Sequence, residues 1–166
     1  MCVLSKEEIR RLIEEEGLIR DYLDLETQLQ PNGFDCTLGK VFKLRSAGKV
    51  DFDNSQRVIC DAEEVDFVEW VYLPKGVYRV RINEVVKLPK DVIAIAKPRS
   101  TLARNGVSLI TAFWDAGYEG RSEVGLVVHN EYGIWLRRNS RILQLVFLRL
   151  CSETEGYSGI FLGENV

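Results

Sequence analysis

An all-β domain, a distorted jelly roll or β-sandwich preceded by one short helix, is the fold class that this 166-residue sequence predicts. Three observations predict it. A helical pattern with matching caps occurs only near the start of the chain. From Ile19 onward, short runs rich in Val, Ile, Leu, Phe and Tyr are broken roughly every 8–12 residues by Gly, Pro, Asn or Asp, which is the rhythm of strands and turns. The length, with 46% hydrophobic residues, suits one domain with a sizeable core. A single domain over 1–166 is expected, with 152–166 as a C-terminal arm or lid.

The helix comes first. Ser5 can cap it, Glu8 can return the capping bond, Ile9, Leu12 and Ile13 form an apolar stripe, and Gly17 supplies a stop. Strands are expected over 39–44, 68–73, 77–82, 92–97, 123–129 and 142–150. Runs such as 92–96 and 143–148 are almost continuously apolar, as strands covered on both faces are. A small β domain covers both faces most easily by packing against copies of itself, so self-association is expected. The arm over 152–166 is rich in Gly, Ser and Glu with isolated aromatics, and reads as mobile.

Charge and composition narrow the chemistry. A formal net charge of −3 does not suit a protein that coats nucleic acid, because phosphate neutralisation needs a basic surface. Any phosphate site must be local. No apolar run is long enough for a membrane-spanning helix and no leader is read. Cys2, Cys36, Cys60 and Cys151 are scattered, which fits a reduced, cytoplasmic setting. The single histidine, His129, leaves little room for zinc sites or for Ser-His or Cys-His catalysis and is read as structural.

Two segments carry candidate chemistry. Lys97-Pro98-Arg99-Ser100-Thr101-Leu102-Ala103-Arg104 leaves an apolar strand and brings two arginines and two hydroxyls around one bend. Guanidinium forks, hydroxyls and backbone N–H groups together suit an oligophosphate, although a capped turn with surface arginines reads the same way. Asp115 and Tyr118 then sit in the Gly-containing segment Asp115-Ala116-Gly117-Tyr118-Glu119-Gly120. An acid there can activate water and an aromatic face can pack on a sugar or base; an ordinary β-turn with Asp in first position is the plain alternative.

Taken in order, Gly33-Phe34-Asp35, Pro98 to Arg104, Asp115 to Gly120 and Arg141-Ile142-Leu143-Gln144-Leu145 resemble the first four motifs of the dUTPase and dCTP deaminase superfamily. Tyr157-Ser158-Gly159-Ile160-Phe161 resembles a fifth, with the deaminase-like form of the tail. The dCTP deaminases carry a catalytic glutamate three residues before an asparagine. Counting back from Asn130, valine stands there, at Val127. The strand is similar instead to that of archaeal-type dUTPases.

The resemblance implies the β-clip variant of the fold and hydrolysis of dUTP to dUMP and pyrophosphate. Asp115 would activate the water that attacks the α-phosphorus. Arg99, Ser100, Thr101 and Arg104 would hold the phosphates. Mg2+ would ride on the triphosphate, with Asp35 as a water-mediated ligand or else a structural turn residue. Tyr118 would pack under the deoxyribose and exclude UTP, and backbone groups in the hairpin between Asn105 and Ala112, Thr111 and Ala112 among them, would read uracil. Gln144 would steady the site, and Tyr157, Ser158 and Phe161 would close over it, Phe161 on the base. The implied assembly is a homotrimer with sites between subunits. Two alternatives stay open: a dCTP deaminase, alone or bifunctional with dUTPase activity, using an acid such as Glu123, and a non-catalytic nucleotide-binding regulator.

Overall fold

A computed structural model describes residues 2–166. Its elements, in chain order, are β1 (Cys2–Val3), α1 (Lys6–Glu16), β2 (Ile19–Arg20), α2 (Leu25–Gln28), β3 (Leu29–Gln30), β4 (Gly33–Leu44), β5 (Ala62–Glu64), β6 (Trp70–Leu73), β7 (Gly76–Ile82), β8 (Val85–Lys87), β9 (Val92–Pro98), α3 (Ser100–Arg104), β10 (Val107–Ile110), β11 (Glu119–Gly120), β12 (Glu123–Val128), β13 (Ile134–Arg137) and β14 (Arg141–Arg149). The all-β reading holds. The large sheet runs β1-β14-β4-β7-β12-β10, with β3 and β5 also on β4 and β9 on β14, and every pairing is antiparallel. Two smaller sheets, β11-β8-β2 and β13-β6, complete the strand pairings.

Helix α1 forms for the reasons its sequence suggests. The Ser5 hydroxyl accepts from the Glu8 N–H while the Glu8 carboxylate accepts from the Ser5 N–H, and Gly17 ends the helix in the left-handed region at φ 69°. Ile9, Leu12 and Ile13 are buried over β3 and β4, each burial contributing about 1.5–3 kcal/mol. Helices α2 and α3, of four and five residues, were not expected. They are too short to show a period.

In this chain, β9 and β14 are buried on one face only: Val92, Ala94, Leu145 and Phe147 are inside, while Ile93, Ile95, Val146 and Leu148 remain partly open. The strand closed on both faces is the first half of β4, Gly33 to Gly39. Phe34, Cys36 and Leu38 face the apolar core. On the opposite side, Asp35 and Thr37 meet buried polar partners. Glu84, fully buried, accepts from the Thr37 N–H (2.9 Å), the Thr37 hydroxyl (2.6 Å) and Gln28 Nε2 (2.7 Å). Burial pushes the Glu84 carboxyl up, and these hydrogen bonds oppose the shift. Gly33 has no room for a side chain, since a Cβ would lie 2.4 Å from the Leu145 carbonyl oxygen and 2.9 Å from Gln144 Cγ. Between Arg141 and Leu143 the β14 register slips by one residue against β4, so Ile142 and Leu143 are buried in succession.

Candidate functional site

The clamp is built where β9 ends and α3 begins. Arg99 occupies the N-cap of α3 and its N–H donates to the Ile142 carbonyl, which fixes the bend to β14. The first N–H groups of a helix have no partner inside it, so Ser100 and Thr101 present backbone donors as well as exposed hydroxyls. Arg104 is exposed at the other end of the same short helix. Beneath them Asp35, only 1% exposed, pairs its Oδ2 with the Arg99 guanidinium (Nε at 3.0 Å) and accepts on the same oxygen from Arg141 Nη1 (3.2 Å). Burial pushes the Asp35 carboxyl up, while the two guanidinium groups hold it down. Asp35 lies on β4, not in a turn. It aims the arginines.

Arg99, Thr101 and Arg141 line a cleft of about 570 Å3 with Trp135, Leu136 and Asn105. Gln144 stands beside this clamp, opposite Asp35 on one side and Lys97 on the other, with its side chain over Gly33.

The acid and the aromatic belong to a second cavity. Trp114 exchanges both backbone bonds with Ala94 of β9, each 3.0 Å, and anchors the chain just before the turn. The Tyr118 N–H then donates to the Asp115 carbonyl (3.1 Å) with Gly117 third in the turn at φ 79°. This is a type II turn, which needs a residue free to take positive φ. The ordinary β-turn reading and the functional one therefore describe the same object. Asp115 is exposed and Tyr118 is 6% exposed.

Around them a cavity of about 630 Å3 is lined by Thr111, Ala112, Phe113, Tyr157, Phe161 and Glu164, among others. The segment between Asn105 and Ala112 is not the expected hairpin but a single strand, β10, at the edge of the sheet, paired only with β12 within it. A sheet edge leaves backbone donors and acceptors open.

The C-terminal arm contains no strand or helix, yet it docks. The Tyr157 N–H donates to the Ala116 carbonyl (2.9 Å), the Gly163 N–H to Glu119 (2.7 Å) and the Arg121 N–H to the Glu164 carbonyl (2.9 Å). Tyr157 meets Tyr118 edge-on at 5.7 Å. Tyr157 and Phe161 line the cavity and Ser158 does not. Sequence reasoning missed Glu164 and Ser122, which bind the Tyr118 hydroxyl at 2.8 Å each, because single polar residues among loops carry no pattern. Burial drives the Tyr118 phenol far above its ordinary value.

Two remaining expectations concern the strand after the turn. Glu123 is the first residue of β12 and lines the cavity, with its carboxylate held by Arg81 Nη2 (2.7 Å) and Arg79 Nη1 (3.5 Å). Val127 lies on the same face about 13 Å further on, between Val77 and Ser108. No acid of the neighbouring strands pairs with it. His129 is exposed and its Nε2 meets the Ser108 hydroxyl at 2.8 Å.

Among the described residues, none lines both cavities. The described residues contain no group of three or more His, Cys, Asp or Glu placed to hold a metal ion, and none of their helices is long and apolar enough to cross a membrane.

A sequence-family model described as dCTP deaminase-like matches residues 3–150. A probable deoxyuridine 5'-triphosphate nucleotidohydrolase of Archaeoglobus fulgidus is 67% identical over 166 residues, all of this chain and 99% of that one. One of the same name from Methanosarcina acetivorans is 50% identical over 99% of each chain. Among solved structures, the 2'-deoxycytidine 5'-triphosphate deaminase of Agrobacterium tumefaciens superposes with a TM-score of 0.68 at 27% identity over 87% of this chain, which spans 47% of that chain. Matched by that family model over residues 3–150 and by the Archaeoglobus relative over its whole length, the chain belongs to the dCTP deaminase-like family, within the superfamily of dUTPases and dCTP deaminases.

Proposed function

We propose that the protein hydrolyses dUTP to dUMP and pyrophosphate. The observation that carries the reading is the exposed Asp115 at the mouth of the larger cavity, set against a β12 that offers no proton shuttle: Val127 has apolar or hydroxyl neighbours, and Glu123 is bound by two arginines. Deamination needs an acid that can take a proton from water and pass it to the exocyclic amine. Hydrolysis at phosphorus needs a positioned water and neutralised phosphates, roles that suit the exposed Asp115 carboxylate and the Arg99 and Arg104 guanidinium groups. The names of the Archaeoglobus and Methanosarcina relatives support the same choice.

In this reading Asp115 orients and deprotonates the attacking water, and Arg99, Ser100, Thr101 and Arg104 hold the phosphates. Tyr118, lining the cavity, packs against the deoxyribose and leaves no space for a 2′-hydroxyl. The open edge of β10, with Thr111 and Ala112, reads the uracil. Gln144 steadies the clamp, and Tyr157, Ser158 and Phe161 close the site.

Magnesium enters as a passenger of the triphosphate, neutralising its charge. The residues present do not fit a protein-built ion site, because one oxygen of Asp35 is already paired with two guanidinium groups, so its part toward the ion is at most through water. Since the clamp and the acid line separate cavities, a complete site takes the clamp of one copy and the turn of another. A homotrimer with intersubunit sites, in the cytoplasm, follows from this reading. The partly open faces of β9 and β14 are surfaces that neighbouring copies can cover.

The test is incubation with Mg2+ and, separately, dUTP, dCTP, dTTP and UTP, with every product resolved by chromatography. Conversion of dUTP alone to dUMP is expected. Formation of dUTP or dUMP from dCTP would overturn the assignment and make an acid such as Glu123 the base.

A further inference from the structure

The Tyr118 hydroxyl is the centre of a hydrogen-bond chain that crosses from the catalytic turn to the C-terminal arm. Trp114 Nε1 lies 2.7 Å from Ser122 Oγ, Ser122 Oγ lies 2.8 Å from the Tyr118 hydroxyl, and that hydroxyl lies 2.8 Å from Glu164 Oε1. The direction of every proton follows from donor inventory. An indole N–H can only donate and a carboxylate can only accept, so Trp114 donates to Ser122 and Tyr118 donates to Glu164. Ser122 has then accepted once, and its own proton goes to Tyr118. One arrangement satisfies all four groups. Its two ends are the neighbour of Asp115 and a residue of the arm.

Two further features show that the contact is built rather than incidental. The Glu164 backbone is pinned on both sides, by Arg121 N–H to the Glu164 carbonyl and by Gly163 N–H to the Glu119 carbonyl. Gly120 leaves the space the contact occupies: a Cβ there would stand 2.6 Å from the Tyr118 hydroxyl and 3.1 Å from Glu164 Cγ.

We infer that Glu164 is a positioning residue of the site, an arm carboxylate that holds the Tyr118 ring in register with the Asp115 turn and thereby sets discrimination between deoxyribose and ribose. This rests on the dUTP reading for its consequence, though not for the contact itself. Without Glu164 the phenol loses its acceptor and its proton competes with the Trp114 N–H for the Ser122 oxygen, so the ring is free to turn. A hydrogen bond to a charged acceptor of this kind is worth about tenfold or more in an equilibrium.

The test uses the full chain as wild type, Glu164→Ala, Glu164→Gln, Tyr118→Phe and the Tyr118→Phe/Glu164→Ala double variant, with thermal melting to confirm folding. Tyrosine labelled with 13C at Cζ reports the contact by NMR, Tyr118→Phe assigning the signal. Steady-state kinetics on dUTP and UTP report the consequence. Glu164→Ala is expected to move the Tyr118 resonance and to lower the dUTP-to-UTP ratio of kcat/KM about tenfold, with Glu164→Gln recovering most of that ratio through its amide oxygen. In the Tyr118→Phe background, Glu164→Ala should add nothing. An unmoved resonance, an unchanged ratio, or an equal loss in the Tyr118→Phe background overturns the inference. A wild type that hydrolyses no dUTP defeats the functional reading instead, and the resonance alone then decides: movement keeps the positioning role and no movement removes it.

Discussion

Replacing Asp35 by asparagine isolates the electrostatics of the clamp while keeping its shape. In the native protein one buried oxygen pairs with the Arg99 guanidinium, Nε at 3.0 Å, and accepts a hydrogen bond from Arg141 Nη1 at 3.2 Å. An amide offers a neutral acceptor at best, and its NH2 group turns a donor toward two donors. Hydrogen bonds to charged groups contribute about 1.5–3 kcal/mol each. Both arginine side chains are 31% exposed and recover part of their solvation when released, so the pair is placed at about 2–4 kcal/mol. For a domain of this length each kcal/mol moves Tm by about 2–4 °C, which predicts a fall of about 4–16 °C. The released Arg99 also loses its aim, and KM for dUTP should rise about tenfold while kcat changes less. Circular-dichroism melting and steady-state kinetics measure both. A Tm within about 2 °C of wild type together with an unchanged KM would refute the idea that Asp35 organises the arginines.

Asp115→Asn should retain dUTP binding by calorimetry and lose at least about 100-fold in kcat; equal turnover would remove Asp115 from the chemistry. Burial raises the Glu84 carboxyl above its ordinary 4.5, so the folded chain holds that proton more tightly than the unfolded one. Its contribution is therefore full below about 4.5 and is lost as pH rises through the raised folded value. The Tm of wild type minus that of Glu84→Gln should accordingly shrink from pH 4 upward, and a constant difference would contradict the assignment. His129→Ala, which removes an exposed side chain bonded only to Ser108, should change stability by no more than about 0.5 kcal/mol and leave dUTP turnover intact.

What the sequence made legible was local. The Ser5–Glu8 box and Gly17 announce α1, and runs of alternating or continuous apolar residues announce β7, β9, β12 and β14 to within a residue or so. The Asp115 turn was visible because Gly117 punctuates it. What stayed hidden was long-range and polar. The first half of β4 lay outside the strand expected over 39–44, because Asp35 and Thr37 interrupt the apolar Phe34, Cys36 and Leu38; nothing local shows that Glu84, 47 residues beyond Thr37, waits to receive Thr37. Glu164 finds Tyr118 at a separation of 46 residues. The division of the motifs between two cavities was equally beyond one-dimensional pattern, although the apolar second faces of β9 and β14 hinted that neighbouring copies matter.

The slip in β14 sets a limit on how this chain can vary in length. Side chains of a strand alternate between faces, so the extra residue at Ile142 inverts the alternation between Arg141 and the run from Leu143 to Phe147. Deleting that residue would not merely shorten an element. It would restore regular alternation, with Arg141 still beside Asp35 and Leu143 still in the core, but it would remove the fully buried Ile142 side chain and the carbonyl that accepts from the Arg99 N–H. Insertions in the excursion 45–61 meet no such constraint, since that segment is mostly exposed and touches the sheet at its ends. Divergence in this chain should thus accumulate as added or lost residues in the excursion, while the spacing from Arg141 to Leu145 is held to the residue.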